Sequence, residues 1–277
     1  MIAATCTPTI VPNTVAHLSW SGLQDYGACP RKFFYRRIAC VADETKSASL
    51  VFGGAIHRAI QSLYEAKLEG RKALTTKKCM GEYDAAWSAD VSAGPELTFP
   101  KGDSYESLRR TAEGMLALYR KQVQHDRARI LGIEHEALFR FVPEAPPIKA
   151  RLDLLSVEGD ALVVSDWKTA KCRWSEQKTR ECLPQLVLYS FAMSGIARVL
   201  GLRRILPRFV VLTKGKVPAV QVLEPQATQS DVERLKERVR ETADSISKGA
   251  FSRRESWQCG CCPFSRRCLG DAHETVQ

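Results

Sequence analysis

Asp166 and Lys168 stand two residues apart at the end of an apolar run, VVSDWK. Strand side chains alternate, so both point to one face with Trp167 on the other. An acid and a base placed this way form a surface ion pair or half of an active site. Asp153, in KARLDLL, lies on the apolar run just before. If the two runs pair as a hairpin, the carboxylates converge, and converging acids repel unless a cation sits between them. Mg2+ or Mn2+ suits such a pair, because these ions take oxygen ligands and keep exchangeable waters. A cation there can activate a water and hold a phosphodiester, while Lys168 offsets charge growing on the phosphoryl group. His57, in GGAIH, could add an imidazole ligand. Gln185 and Tyr189 are spaced i, i+4 and share one helix face, where an amide and a phenol can meet the acids or a nucleic-acid backbone. The bland alternatives are a charged hairpin edge in water, a structural histidine, and a packed tyrosine beside a surface glutamine.

These residues need elements to position them. The sequence predicts a short helix through Tyr26, capped by Ser19 or Ser21, and a second one opening at Pro30. A helix follows the Gly53-Gly54 pair and stops at Gly70. Residues 71–102 carry little signal. A long helix is expected from about Tyr105 to Ala128, with Leu108, Met115, Leu116, Tyr119 and Val123 on its apolar face. The segment ILGIEHEALFRFV alternates like a strand. IKARLDLLSV and ALVVSDWKT then form a hairpin about Glu158-Gly159-Asp160. A helix over 181–196 holds Pro184 in its first turn, and a second hairpin turns at Lys214-Gly215-Lys216. A last helix runs from Ser230, with Ser230 and Glu233 as its capping box, to Gly249. This order of parts implies one α/β domain.

Lys plus Arg number 41 against 31 Asp plus Glu, a net charge of +10 on 277 residues. That bias favours polyanionic partners, nucleic acid first among them. No run approaches the ~18 consecutive apolar residues of a membrane span. The first twenty residues lack the basic and apolar regions of a signal peptide. A cytoplasmic location is therefore expected, where thiols stay reduced. Of the ten cysteines, Cys259, Cys262 and Cys268 form a C-x2-C-x5-C run. Thiolates at this spacing wrap one soft-metal site but need a fourth ligand. Cys29, in ACPRKFF, is the natural fourth; Cys261 is an alternative ligand or a bystander. Zinc is the general alternative occupant. Basic residues flank both parts, including Arg31, Lys32 and Arg36, and could track phosphates.

GGAIH, ARLDLL, SDWKTAK and QLVLY occur in this order over residues 53–189. Together they resemble the PD-(D/E)XK nuclease superfamily, and its RecB-like exonuclease branch in particular. The resemblance implies a restriction-endonuclease-like α/β core, a mixed central sheet flanked by helices. It implies His57, Asp153, Asp166 and the carbonyl of Trp167 as Mg2+ or Mn2+ ligands and Lys168 as the catalytic lysine, with Gln185 and Tyr189 facing DNA. The chain departs from the pattern at Ala150, where the family usually has Gly. Glu134 fits the acid often found on the preceding strand, and no role is assigned to it.

One cysteine before the core and three after it further resemble the iron–sulfur members of that branch, among them AddB-type subunits and the CRISPR-adaptation nucleases. This implies a [4Fe–4S] cluster on Cys29, Cys259, Cys262 and Cys268, joining the N- and C-terminal segments. Residues 1–16 are expected as a tail, 17–50 and 250–270 as cluster-binding segments, and 51–249 as the nuclease core. The implied function is an exonuclease acting on single-stranded DNA or DNA ends in recombination, repair or CRISPR adaptation, with a helicase, integrase or recombination protein as partner. A non-catalytic DNA-binding or assembly module is the competing reading. The chain carries no G-x-x-x-x-G-K-[ST] motif, so any unwinding would come from that partner.

Overall fold

Apolar residues dominate both faces of the central hairpin strands, and a computed structural model shows why. It describes residues 15–273 except Ala93 and Lys216; most of the expected tail therefore lies outside the described residues. The chain begins with α1 (Trp20–Ala28), α2 (Pro30–Phe33) and a π-helical turn (Phe34–Ile38). Then come β1 (Thr45–Ser47), α3 (Ala48–Leu68), α4 (Thr76–Ser92), β2 (Glu96–Thr98) and α5 (Tyr105–His125). The main sheet contains β3 (Arg129–Phe139), β4 (Ile148–Glu158), β5 (Ala161–Ala170), β6 (Arg204–Thr213) and β7 (Val220–Leu223). Helix α6 (Glu176–Val199) crosses from β5 to β6, and α7 (Gln229–Ser247), a 3-10 turn (Trp257–Cys261) and α8 (Ser265–His273) close the chain.

The sheet order is β3-β4-β5-β6-β7. Neighbours are antiparallel except β5 and β6, which run parallel because α6 returns the chain to the same end of the sheet. Both faces are covered. One core gathers Leu23, Phe33, Leu152, Leu162, Leu186, Phe209 and Val239 under α1, α6 and α7. The other gathers Phe52, Ile56, Ile60, Tyr83, Leu116, Leu154 and Trp167 under α3, α4 and α5. The result is the expected α/β class with a mixed sheet flanked by helices. α6 is long and apolar enough, by length and composition alone, to cross a membrane. Here Leu183, Leu186, Leu188 and Met193 bury its inner face in the core.

Several expected boundaries move, each for a local reason. Gly53 and Gly54 lie inside α3, because Ser47 caps the helix at Ala48 and the apolar repeat already starts at Val51 and Phe52. α4 fills the uninformative stretch, anchored by Cys79, Met80, Tyr83 and Trp87. Pro184 sits inside α6, because Ser175 caps the helix well before it, accepting from the Lys178 N–H at 3.1 Å. Thr228 and Asp231, not Ser230 and Glu233, form the capping box of α7.

Candidate active site

The β4–β5 hairpin pairs Leu154 with Ser165, so Asp153 and Asp166 stand opposite each other one step further along. Both are buried, at 7% and 2% exposure. The Asp153 Oδ2 accepts the Trp167 backbone N–H at 2.6 Å. Lys168 Nζ lies 2.5 Å from the Asp166 Oδ2. From α6, the Gln185 Nε2 donates to the Asp166 Oδ1 at 2.8 Å and to the Tyr189 hydroxyl at 2.8 Å. Both oxygens of Asp166 are thus engaged by protein groups.

Helix α3 brings His57 over the hairpin, its ring edge-on to Trp167 with centroids 5.9 Å apart. Trp167 in turn stacks on Tyr64 at 5.6 Å. The His57 Nδ1 is 3.7 Å from the Asp153 Oδ2. Strand β3 adds Glu134. Its register against β4 slips between Ile130 and Gly132, and Glu134 takes a positive φ of 51°. A non-glycine residue in that region is uncommon, and such positions concentrate where function holds them. One donor atom each from His57, Glu134 and Asp153 lies within 4.8 Å of the others. Arg151 holds Glu134 from the solvent side at 2.8 Å. The donors are two carboxylates and an imidazole, a set that suits a divalent cation preferring oxygen and nitrogen. The alternation of β3 gave no sign that Glu134 would join them. Its inward turn depends on a strand irregularity whose only trace in the sequence is Gly132.

Electrostatics match this chemistry. Burial, and then the charge of Lys168, lower the His57 pKa to about 4, so the ring is neutral and its lone pair is free at neutral pH. Burial, followed by the charge of Asp166, pushes Asp153 well above the usual carboxylate range. Burial also raises Asp166, against the downward pull of Lys168. On Lys168 burial acts downward, but the Asp166 carboxylate outweighs it and the net shift is upward, so the ammonium stays charged. Acids raised in this way are poised for a cation to replace their protons.

Two cavities meet at this point. One, of 590 Å³, runs from Asp153, Asp166 and Tyr189 toward α1. The other, of 820 Å³, runs along the first turns of α3. Both are lined by His57, Arg151 and Lys168. The remaining expected DNA-binding residues are elsewhere. Lys32 and Arg36 are ion-paired to Asp25 at 2.8 and 3.1 Å, and Arg36 also reaches Asp43 at 3.1 Å. Arg31 lies over the Tyr35 ring at 5.9 Å. None of the three lines either cavity.

Five of the cysteines lie together, apart from this hairpin. Cys29, Cys259, Cys261, Cys262 and Cys268 border one cavity of 370 Å³. No three of their sulfurs approach within 4.8 Å among the described residues. Around it the chain's two ends are tied together. The Arg31 N–H donates to the Ser252 carbonyl at 3.2 Å, the Glu44 N–H to the Pro263 carbonyl at 3.0 Å, and the Tyr26 hydroxyl to the Ala250 carbonyl at 2.6 Å. The Cys261 thiol donates to the Gln258 carbonyl at 3.4 Å.

The mixed sheet flanked by helices, with two buried acids and a lysine on its central hairpin, is an α/β arrangement found among known enzymes. The model of the PD-(D/E)XK nuclease superfamily matches residues 17–269, and the chain belongs to that superfamily. A solved structure from Eubacterium rectale, provisionally named an exonuclease, superposes with a TM-score of 0.55 over 91% of this chain and 88% of that one. At 14% identity it shows the shared fold. The structure of SSO0001 aligns more loosely, at TM-score 0.33 and 15% identity over 80% and 84% of the two chains, and bears no weight. A search of curated proteins finds no significant match.

Proposed function

We propose that the protein is a divalent-metal-dependent DNA nuclease, an exonuclease acting on single-stranded DNA or DNA ends. The observation that carries this reading is the convergence of Asp153, Asp166 and Lys168 on one face of a hairpin beneath a neutral His57. His57 and Asp153, with Glu134 as a further oxygen donor, would hold Mg2+ or Mn2+; the resemblance adds the Trp167 carbonyl and the Asp166 carboxylate, which is held here by Lys168 and Gln185. A divalent cation bound there supplies Lewis acidity toward a phosphoryl oxygen and makes a water a competent nucleophile at neutral pH. The protein groups do the rest. Lys168, kept protonated by Asp166, acts as a fixed positive charge toward the pentavalent transition state, not as a base. Gln185 and Tyr189 fix the orientation of Asp166, and Asp153 is fixed by the Trp167 N–H.

The cysteine cavity supports a [4Fe–4S] cluster on Cys29, Cys259, Cys262 and Cys268. A zinc ion draws four sulfurs into close contact, each about 2.3 Å from the metal. Sulfurs spread around a cavity leave room for a larger inorganic core. The cluster would close the link between the N- and C-terminal segments and stabilise the fold. RecB-like membership and a place in recombination, repair or CRISPR adaptation beside a helicase or integrase would follow from the same resemblance.

The test is digestion of end-labelled single- and double-stranded DNA by anaerobically purified protein, with Mg2+ or Mn2+, wild type beside Asp166→Ala. Expected is stepwise release of label from one end of the single strand, lost in the variant and with chelator. Equal cleavage by wild type and variant would overturn the assignment. The label position gives the polarity.

A further inference from the structure

Six Arg and Lys side chains line the two cavities that meet at the catalytic hairpin: Arg37, Lys46, Arg58, Lys149, Arg151 and Lys168. Five are committed to acids. Lys46 pairs with Asp90 at 3.1 Å, Arg58 with Glu65 and Glu82 at 3.1 and 3.2 Å, and Lys149 with Glu136 at 3.0 Å. Arg151 and Lys168 hold Glu134 and Asp166. Among the described residues Arg37 has no acidic partner. Its guanidinium donates only to the Ser21 hydroxyl, at 3.2 Å, and the Ser21 hydroxyl in turn meets that of Ser19 at 3.1 Å.

The backbone is arranged to put it there. Arg37 lies in the π-helical turn Phe34–Ile38, a conformation found mostly as single turns and often at functional sites. Its neighbour Arg36 is tied inward by hydrogen bonds to both oxygens of Asp25 and of Asp43. The wide turn separates the two arginines, so that one braces the segment while the other faces the cavity shared with Asp153, Asp166 and Lys168. An unpaired guanidinium with a hydroxyl at its side is a donor fork of the kind that fits a phosphate bidentately.

We propose that Arg37, with Ser21, seats a backbone phosphate of a single DNA strand next to the one being cleaved, on the α1 side of the catalytic hairpin. This rests on the nuclease reading for what the strand is doing there, but its test does not depend on cleavage. A labelled single-stranded oligonucleotide is titrated with the full-length protein in Ca2+, across a range of KCl concentrations, and binding is read by fluorescence anisotropy. Each single-strand phosphate contact contributes about 0.7 to the slope of log K against log salt. Arg37→Gln is expected to lose about tenfold in affinity at low salt and to flatten the slope by about 0.7, equally for strands of different sequence. Arg37→Lys should restore the slope. Arg234→Gln, an α7 change outside both cavities, should match the wild type. Wild-type affinity and slope in a folded Arg37→Gln protein, shown by circular dichroism, would overturn the proposal. So would a wild type that binds no single strand. A wild type that binds with the Arg37-dependent slope yet cleaves nothing in Mg2+ or Mn2+ would support the phosphate seat and sink the nuclease reading alone.

Discussion

At the residue scale, spacing alone was enough to pair Asp166 with Lys168 and to set Asp153 opposite them, because strand alternation and hairpin pairing are strict. His57, Gln185 and Tyr189 were legible through helical spacing and family resemblance. Glu134 was marked only by the resemblance and given no role, since its inward position depends on a left-handed residue in an irregular strand. Its placement gives a prediction: Glu134→Gln should raise the Mn2+ concentration for half-maximal cleavage by about 10- to 100-fold, with little change in the saturated rate. A metal titration of activity checks this. A second prediction concerns pH. Asp153 is held above the usual carboxylate range by burial and by Asp166, so without metal the folded protein keeps a proton that the unfolded chain has lost. The metal-free protein therefore loses stability as pH rises from the ordinary carboxylate range toward the raised pKa. Asp153→Asn keeps an acceptor for the Trp167 N–H and should remove much of that loss. Thermal melts of both proteins in chelator, from acidic to neutral buffer, should converge at the acid end and separate as pH rises.

At the element scale, the β4–β5 hairpin and the amphipathic α5 and α7 were readable because their apolar residues repeat at 2 or 3.6. α4 was not, because its apolar anchors are few and widely spaced between lysines and acids. The ends of α3 and α6 were misplaced because Ser47 and Ser175 cap ahead of the glycines and proline that looked like boundaries. α3 does the most for the site. Its buried face holds the second core and its first half carries His57. Ile60, fully buried one turn beyond His57, should cost about 2–5 kcal/mol when cut to Ala. Denaturant unfolding would show this, and the same variant should bind Mn2+ more weakly because His57 loses its rigid support.

For the whole molecule, the family resemblance implies a cluster that would join Cys29 to cysteines some 230 positions further on. The structure brings these segments together around one cavity and ties them by main-chain hydrogen bonds. Which metal fills such a cavity depends on sulfur separation and chemistry, which residue spacing leaves open. Cys29→Ser should abolish iron incorporation in anaerobic preparations and lower Tm by several degrees, while leaving Asp153, Asp166 and Lys168 in place. Metal analysis and a melt decide it: a full complement of iron in Cys29→Ser, or zinc in the wild type, would contradict the cluster assignment.

Asp153, Asp166 and Lys168 are proposed to form one metal-dependent hydrolytic centre. The most direct measurement is the initial rate of single-strand cleavage against Mn2+ concentration for wild type, Asp166→Ala and Lys168→Ala, each confirmed as folded. The rate should saturate with Mn2+ in the wild type, fall at least about a hundredfold in Lys168→Ala, and vanish in Asp166→Ala at every metal concentration. A rate independent of Mn2+, or the same curve for all three proteins, would contradict this assignment.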